Sequence, residues 1–265
     1  MIKKIFNFLL YIIVLRKFEI TLLKYQGYKL KRILNWINNL NLPLLVKIKI
    51  LKNLDFYDAE RIREIITQYI NNNERLFTAD NVYITYFGDS GGSGSKILYE
   101  LCHSKIKNKL NIIESWKISN LPEKCKIIFV DDIIGTGKQS TKFINEKLNL
   151  MINPSQQIIL FTLLATSDGI NFVEENTNAI IHTAIKLIDE HHNHYSEKCI
   201  KWTKTERDKI ISLNNLFRKE YDYDKGLLIA FYYSVPNNTM PIIWKEGYKI
   251  NNNPWIALLP RKYGA

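Results

Sequence analysis

Residues 126–141 read KIIFVDDIIGTGKQST, and the order of residue types in that stretch decides the fold. Ile127 to Val130 is a continuous apolar run, the pattern of a strand buried on both faces. It stops at two adjacent carboxylates, Asp131 and Asp132. Gly135, Thr136 and Gly137 then allow a tight turn whose backbone N–H groups converge. A helix follows, and its first turn adds partial positive charge. Thr136, Ser140 and Thr141 contribute hydroxyls, Gln139 an amide and Lys138 a charge. Ligands of open α/β sheets bind at the carboxyl ends of strands. Acids that accept hydrogen bonds from vicinal hydroxyls, followed by a glycine turn that holds an anion, describe a site for ribose 5-phosphate.

Upstream and downstream, apolar strands alternate with helices. Val82–Phe87 is β-rich, Gln157–Leu164 is a second continuous apolar strand, and Ala179–Ile181 is a short one. Helices are predicted over Asp58–Ile70, from Lys96 onward, over Thr141–Leu150 and over Thr203–Glu220, and Leu227–Tyr233 is a late strand. This alternation predicts an α/β protein with a parallel sheet. Between the first strand and its helix lies Gly88-Asp89-Ser90-Gly91-Gly92, where glycines permit close backbone approach to a polyanion, with Lys96 in reach of it. A nucleoside-triphosphate P-loop is excluded here. It needs G-x-x-x-x-G-K-[ST], whereas Ser95 precedes Lys96 and Ile97 follows it.

The stretch 126–141 resembles the signature of type I phosphoribosyltransferases: four apolar residues, two acids, two apolar residues, then a Thr-Gly loop. DDIIGTGK is similar to the hypoxanthine–guanine branch, which also carries Lys after the second Gly. The resemblance implies a phosphoribosyltransferase core. Asp131 and Asp132 would face the ribose hydroxyls of phosphoribosyl pyrophosphate, and the loop Gly135–Ser140 would hold its 5-phosphate. Gly88, Asp89, Ser90, Gly91, Gly92 and Lys96 would receive the pyrophosphate. It also implies Mg²⁺, carried with the pyrophosphate and not caged by the protein. Two positions depart from the pattern. Gly135 stands where purine-salvage enzymes carry an acid that contacts the purine ring, which argues against ordinary purine salvage. Gln139 replaces a Thr or Ser of the phosphate loop, for which Ser140 or Thr141 would compensate.

With the helical N-terminal region and the late segment PNNTMPIIW, Pro236–Trp244, the chain resembles the phosphoribosyltransferase-like proteins of bacterial conflict systems. That likeness implies a C-terminal hood over about 236–265. There Asn237 and Asn238 would hydrogen-bond an acceptor and Trp244 would stack on it or cap the pocket. The alternative reading is a proline-bounded loop with Trp244 in the core. It further implies a defence effector encoded beside a winged-helix protein or a retron reverse transcriptase. Transfer of ribose phosphate and silent ribose-phosphate sensing both remain open readings.

The charge of +11 is concentrated at one end. Residues 1–54 hold eleven Lys/Arg against Glu19 alone, and 55–265 hold 26 against 25. A basic helical arm over 1–54, ahead of a phosphoribosyltransferase-like domain over 55–265 (core about 78–235), favours an anionic partner, either nucleic acid or an acidic protein. Lys24, Lys29, Lys31 and Arg32 are its candidate contacts. The apolar run Ile5–Leu15 is followed at once by Arg16 and Lys17, lacks a small-residue cleavage site and falls short of the ~20 residues needed to span a bilayer. Surface binding to a membrane is the remaining alternative for the arm. Three cysteines with no C-x-x-C pair indicate reduced thiols and a cytoplasmic setting. His191, His192 and His194 in IDEHHNHYS lack the spacing of a zinc site and are read as a solvated polar loop, so no protein-held metal is expected.

Overall fold

The computed structural model describes residues 30–217, 223–247, 249–250 and 253–261. The predicted contacts Lys24 and Lys29 and the run Ile5–Leu15 lie outside the described residues. The chain forms two compact units: residues 59–188, and a second unit made from the segments on either side, 1–58 and 189–265. This division runs at 58/59 and 188/189.

The described residues open with helices α1 (Leu30–Asn39) and α2 (Leu44–Asn53), separated where Pro43 interrupts the backbone ladder, and strand β1 (Asp55–Tyr57). Ile33, Trp36, Ile37 and Leu40 recur at helical spacing and are buried, and Trp36 Nε1 donates to Ile242 O at 2.8 Å. The described part of the basic segment is therefore built into a core. Its partners are α9 (Lys204–Asn215), strand β6 (Ile229–Phe231) and α10 (Pro241–Trp244), and α8 (Asp189–His192) opens this unit's second segment. β1 and β6 pair in parallel with Asp55 opposite Ile229, and a short antiparallel pair, β7 (Lys249–Ile250) and β8 (Asn253–Pro254), follows. Arg32 is half-buried, donates from Nε to Ala257 O at 2.8 Å and pairs through Nη2 with Glu246. Lys31 is exposed. Of the two described arm contacts, only Lys31 keeps its charge toward solvent; Arg32 is spent on its own unit.

The IDEHHNHYS segment is not a uniformly solvated loop. His194 is 2% exposed, and Trp202 Nε1–H donates to its Nδ1 at 2.8 Å, which assigns the ring proton to Nε2. Burial, then the charges of Lys201 and His192, push its pKa down to about 3. Unfolded, the ring titrates at its ordinary value near 6.5. The unfolded chain therefore takes up a proton that the folded chain refuses, and stability falls as pH drops below about 6.5. Urea unfolding at pH 7 and pH 5 is expected to show a loss of about 2 kcal/mol from this group. His194→Gln should remove that increment of pH dependence; an unchanged pH profile would contradict the burial of a neutral ring.

Residues 59–188 hold the parallel sheet. Its elements are α3 (Ala59–Asn72), α4 (Glu74–Thr78), β2 (Val82–Tyr86), α5 (Ser93–Cys102), β3 (Lys126–Ile134), α6 (Lys138–Phe143), β4 (Gln157–Thr166), α7 (Ser167–Asn176) and β5 (Ile180–Leu187). The helix of α6 continues through a π turn, Ile144–Leu148, and a last turn, Asn149–Met151. Strand order is β2-β3-β4-β5, all parallel. β3 and β4 are central, and Ile127–Val130 and Ile158–Ala165 are buried along their whole length. This is an α/β core built on a parallel sheet, as the alternation of strands and helices predicts. Phe87, Phe129, Ile144, Leu148, Leu160 and Val173 pack one face, and each such side chain contributes about 1.5–3 kcal/mol by leaving water.

A candidate ribose-phosphate site at the carboxyl ends of the strands

Three loops leave the carboxyl ends of β2, β3 and β4. Phe87, just past β2, donates its N–H to Val130 O at 2.9 Å, so the chain stays paired to β3 until the turn begins. Gly88 (φ +87°) and Gly91 (φ +84°) then take left-handed conformations, and Gly92 N donates to Asp89 O at 3.0 Å. α5 starts immediately, three residues before Lys96. Gly94 in its first turn is pressed onto the sheet: a Cβ there would lie 2.2 Å from Phe87 O and 2.7 Å from Val130 O. Between them, Ser93 Oγ donates to Asp131 Oδ1 at 2.7 Å. The glycine loop after β2 and the acid pair of β3 are thus fastened to each other. Asp89 and Gly91 of that loop are exposed, as are Ser90, Gly92 and Lys96, and Gly88 is half-buried.

β3 does not end at Val130; it carries Asp131 and Asp132 inside the strand, with Asp131 opposite Thr162 of β4. Asp132 N donates to Asp131 Oδ1 at 2.9 Å, and Ile133 N to Asp132 Oδ1 at 2.8 Å. Asp132 is buried and Asp131 half-buried. Burial, reinforced by the neighbouring Asp132 carboxylate, holds the Asp131 pKa well above the usual carboxylate range, against the opposing hydrogen bonds from Ser93 and the Asp132 amide. Two crowded carboxylates of this kind are relieved by hydroxyl donors or by a cation.

The turn after β3 is wedged against α7. Gly137 (φ +76°) caps α6, and a Cβ there would meet Gly169 O at 2.7 Å. Gly135 O accepts from Thr166 Oγ1, whose oxygen also accepts from Gly169 N at 3.0 Å. Thr136 is half-buried, Lys138 and Gln139 are exposed, and Ser140 is buried. The Thr141 hydroxyl is enclosed and has no hydrogen-bond partner among the described residues. The loop thus presents backbone, Lys138 and Gln139 outward, while the two hydroxyls named as substitutes for Gln139 are turned in.

Sequence reasoning missed four contributors here. Ser93 directly follows the glycine run Gly88–Gly92, and its place at a helix start is the available signal. Lys147 reaches Asp89 from the π turn at 2.8 Å, and its ammonium lies 5.3 Å from the Phe143 ring centroid. Thr166 and Gly169 support the phosphate loop from β4 and α7, a contact that no local pattern announces. The acceptor residues fall elsewhere, in the unit formed by 1–58 and 189–265. Asn238 is buried and donates to Tyr223 O at 2.7 Å, and Trp244 is 4% exposed with its Nε1 bonded to Thr239 O at 2.8 Å. Both side chains are committed to internal structure, the proline-bounded-loop alternative; Asn237 is half-buried.

Among the described residues no group of three His, Cys, Asp or Glu side chains is placed to hold a metal ion, and no helix is long and apolar enough to cross a membrane.

Several solved structures are similar over about half of the chain. An adenine phosphoribosyltransferase aligns with 12% identity, covering 48% of this chain and 79% of its own, at a TM-score of 0.33. The Saccharomyces cerevisiae adenine phosphoribosyltransferase aligns with 12% identity over 48% and 78%, at 0.31. A Neisseria gonorrhoeae hypothetical protein with bound ppGpp aligns with 11% identity over 50% and 84%, at 0.34. No curated protein matches the chain. The PRTase-CE family matches over residues 33–261, nearly the whole of the described chain, and the protein belongs to that family.

Proposed function

We propose that the protein binds Mg²⁺–phosphoribosyl pyrophosphate and transfers its ribose 5-phosphate to a nucleophile, or releases it to water. The observation that carries this reading is the Ser93–Asp131 bond, which ties the glycine loop after β2 to the acid pair of β3. Asp131 and Asp132 accept hydrogen bonds from the ribose hydroxyls. The amides of Gly135–Ser140, with Lys138, hold the 5-phosphate. Gly88–Gly92 and Lys96 receive the pyrophosphate. The acid pair suits a cation or hydroxyl donors because its own charges repel. When bound, Mg²⁺ neutralises charge on the leaving pyrophosphate. The chain's own part is positioning and electrostatic stabilisation as positive charge develops at the anomeric carbon. A role in defence, docking onto nucleic acid or a retron-type complex through Lys31 and the preceding basic residues, and a cytoplasmic setting belong to this proposal.

Gly135, at the position where purine-salvage enzymes carry an acid, favours a second reading, a ribose-phosphate sensor without turnover. Pyrophosphate release from Mg²⁺–phosphoribosyl pyrophosphate, compared with ligand-induced thermal stabilisation, separates them. Stabilisation with release supports transfer. Stabilisation without release against water or candidate acceptors supports the sensor. Neither effect would overturn the site.

A further inference from the structure

The loop after β2 carries a charge of the wrong sign for its assigned ligand. In Gly88-Asp89-Ser90-Gly91-Gly92 the glycines and the serine offer backbone amides and a hydroxyl to an anion, whereas the Asp89 carboxylate repels one. That carboxylate is not left to itself. Lys147 Nζ lies 2.8 Å from Asp89 Oδ1, across 58 positions of sequence.

The packing below the loop brings Lys147 there. Phe143, the last residue of α6, sets its ring against Phe87 with centroids 4.7 Å apart, and Phe87 is the residue from which the loop departs. The helix continues as the π turn Ile144–Leu148, which carries Lys147. Such turns are rare inside helices and recur at functional sites. The Lys147 ammonium lies 5.3 Å from the Phe143 ring centroid, within the range of a cation–π contact. The lysine is thus held between a ring packed at the root of the loop and the carboxylate in the loop. The same helix is capped by Gly137, so one element serves both anion-holding turns. All of these residues belong to the unit 59–188.

Stability does not account for the pair. The two side chains are 54% and 83% exposed, and an exposed ion pair contributes little to folding. What the pair changes is the charge that the loop presents: Lys147 cancels Asp89 and draws its carboxylate toward the helix.

We propose that Lys147 is a positioning residue of the pyrophosphate loop: by holding Asp89 aside and neutralising it, it fits the loop for a polyphosphate anion, while Gly88–Gly92 and Lys96 make the contacts. The inference rests on the ribose-phosphate reading and concerns the pyrophosphate half of that site alone.

Isothermal titration of the full chain with inorganic pyrophosphate, metal-free and with Mg²⁺, and separately with ribose 5-phosphate tests it. Ribose 5-phosphate engages the acid pair and the Gly135–Ser140 turn and is the reference. Lys147→Gln should weaken pyrophosphate about fivefold or more and keep ribose 5-phosphate within about twofold, with a thermal midpoint close to that of the wild type. Lys147→Arg should retain pyrophosphate affinity. Asp89→Asn alone should tighten pyrophosphate, because the loop then gains net positive charge. Asp89→Asn with Lys147→Gln should return it to within about twofold of the wild type, because both charges are gone. A lysine that merely shaped the helix would give no such recovery. Unchanged pyrophosphate affinity in Lys147→Gln overturns the proposal. So does a double variant as weak as Lys147→Gln, which would make the lysine a direct contact or a purely structural one. So does weakening by Asp89→Asn alone, which would make the carboxylate itself a ligand for the cation carried with pyrophosphate. Wild-type binding of ribose 5-phosphate without pyrophosphate overturns this inference alone; binding of neither overturns the ribose-phosphate reading with it.

Discussion

Asp131→Asn combined with Asp132→Asn is expected to abolish pyrophosphate release while raising the thermal midpoint of the protein. The two effects have one cause. In the folded chain Asp131 is held in a buried environment beside a second carboxylate, and both influences raise its pKa. Ionising the pair at neutral pH therefore works against folding. The amides keep the shape of the carboxyls and lose the repulsion, so the midpoint should rise by roughly 2–4 °C per kcal/mol recovered. The same exchange removes the negative charge that accepts ribose hydroxyls. Hydrogen bonds to charged groups contribute about 1.5–3 kcal/mol each, so two of them lost cost at least about a hundredfold in turnover or affinity. Differential scanning fluorimetry and a pyrophosphate assay on the same preparation check both halves. If the acids served only to fasten Ser93 and the strand, the variant would instead melt earlier. A lower midpoint, or turnover within a few-fold of wild type, contradicts the functional reading.

Gly94→Ala should produce the largest loss of stability among substitutions in the loop after β2. The added methyl would lie 2.2 Å from Phe87 O, 2.7 Å from Val130 O and 2.8 Å from Phe87 N. All three are backbone atoms, two of them joined by the Phe87–Val130 hydrogen bond, so no side chain can swing away. Overpacking of this kind costs about 3 kcal/mol, equivalent to a fall of roughly 6–12 °C for a protein of this size. Because Gly94 neighbours Ser93, the shift of α5 also breaks the Ser93–Asp131 bond, and ligand stabilisation should disappear in whatever protein remains folded. Gly91→Ala is the comparison. Its Cβ would meet nothing within 4 Å, and only the left-handed backbone is penalised, by about 1–2 kcal/mol. Equal midpoints for the two variants would show that α5 does not rest on the sheet as described.

The parallel sheet was legible because β3 and β4 are apolar without interruption, a pattern that only double-sided burial rewards. β2 and the first turn of α3 were also legible to within two residues. Element ends were less so. β3 extends four residues past Val130 because Asp131, Ile133 and Ile134 stay paired with β4, and the polar side chains of Asp131 and Asp132 hide strand continuity from a hydropathy reading. α2 was legible only as part of the helical arm over 1–54, without bounds of its own: its apolar residues are spaced too evenly, with lysines between them, to mark one face. β5 runs to Leu187, well beyond Ile181, because its half-buried His182 and Thr183 and its exposed Lys186 do not carry the apolar signature.

Within the candidate site, the two glycine loops and the acid pair could be read from composition and order alone, since only glycine supplies the backbone freedom required at Gly88, Gly91 and Gly137. What joins them could not. The Ser93–Asp131 and Thr166–Gly135 bonds link residues 38 and 31 positions apart, and such pairs follow from the sheet register and not from any local spacing. Trp244 and Asn238 show the converse: residue types suited to ligand contact served the core, because an indole N–H and an amide also satisfy buried backbone carbonyls.

A crystal structure of the protein with ribose 5-phosphate puts the central proposition to the most direct test. The phosphate is expected against the amide groups of Gly135–Ser140, and the sugar hydroxyls within hydrogen-bond distance of Asp131 and Asp132. Sugar density away from β3, or a phosphate held by other residues while the acid pair contacts only protein, would contradict it.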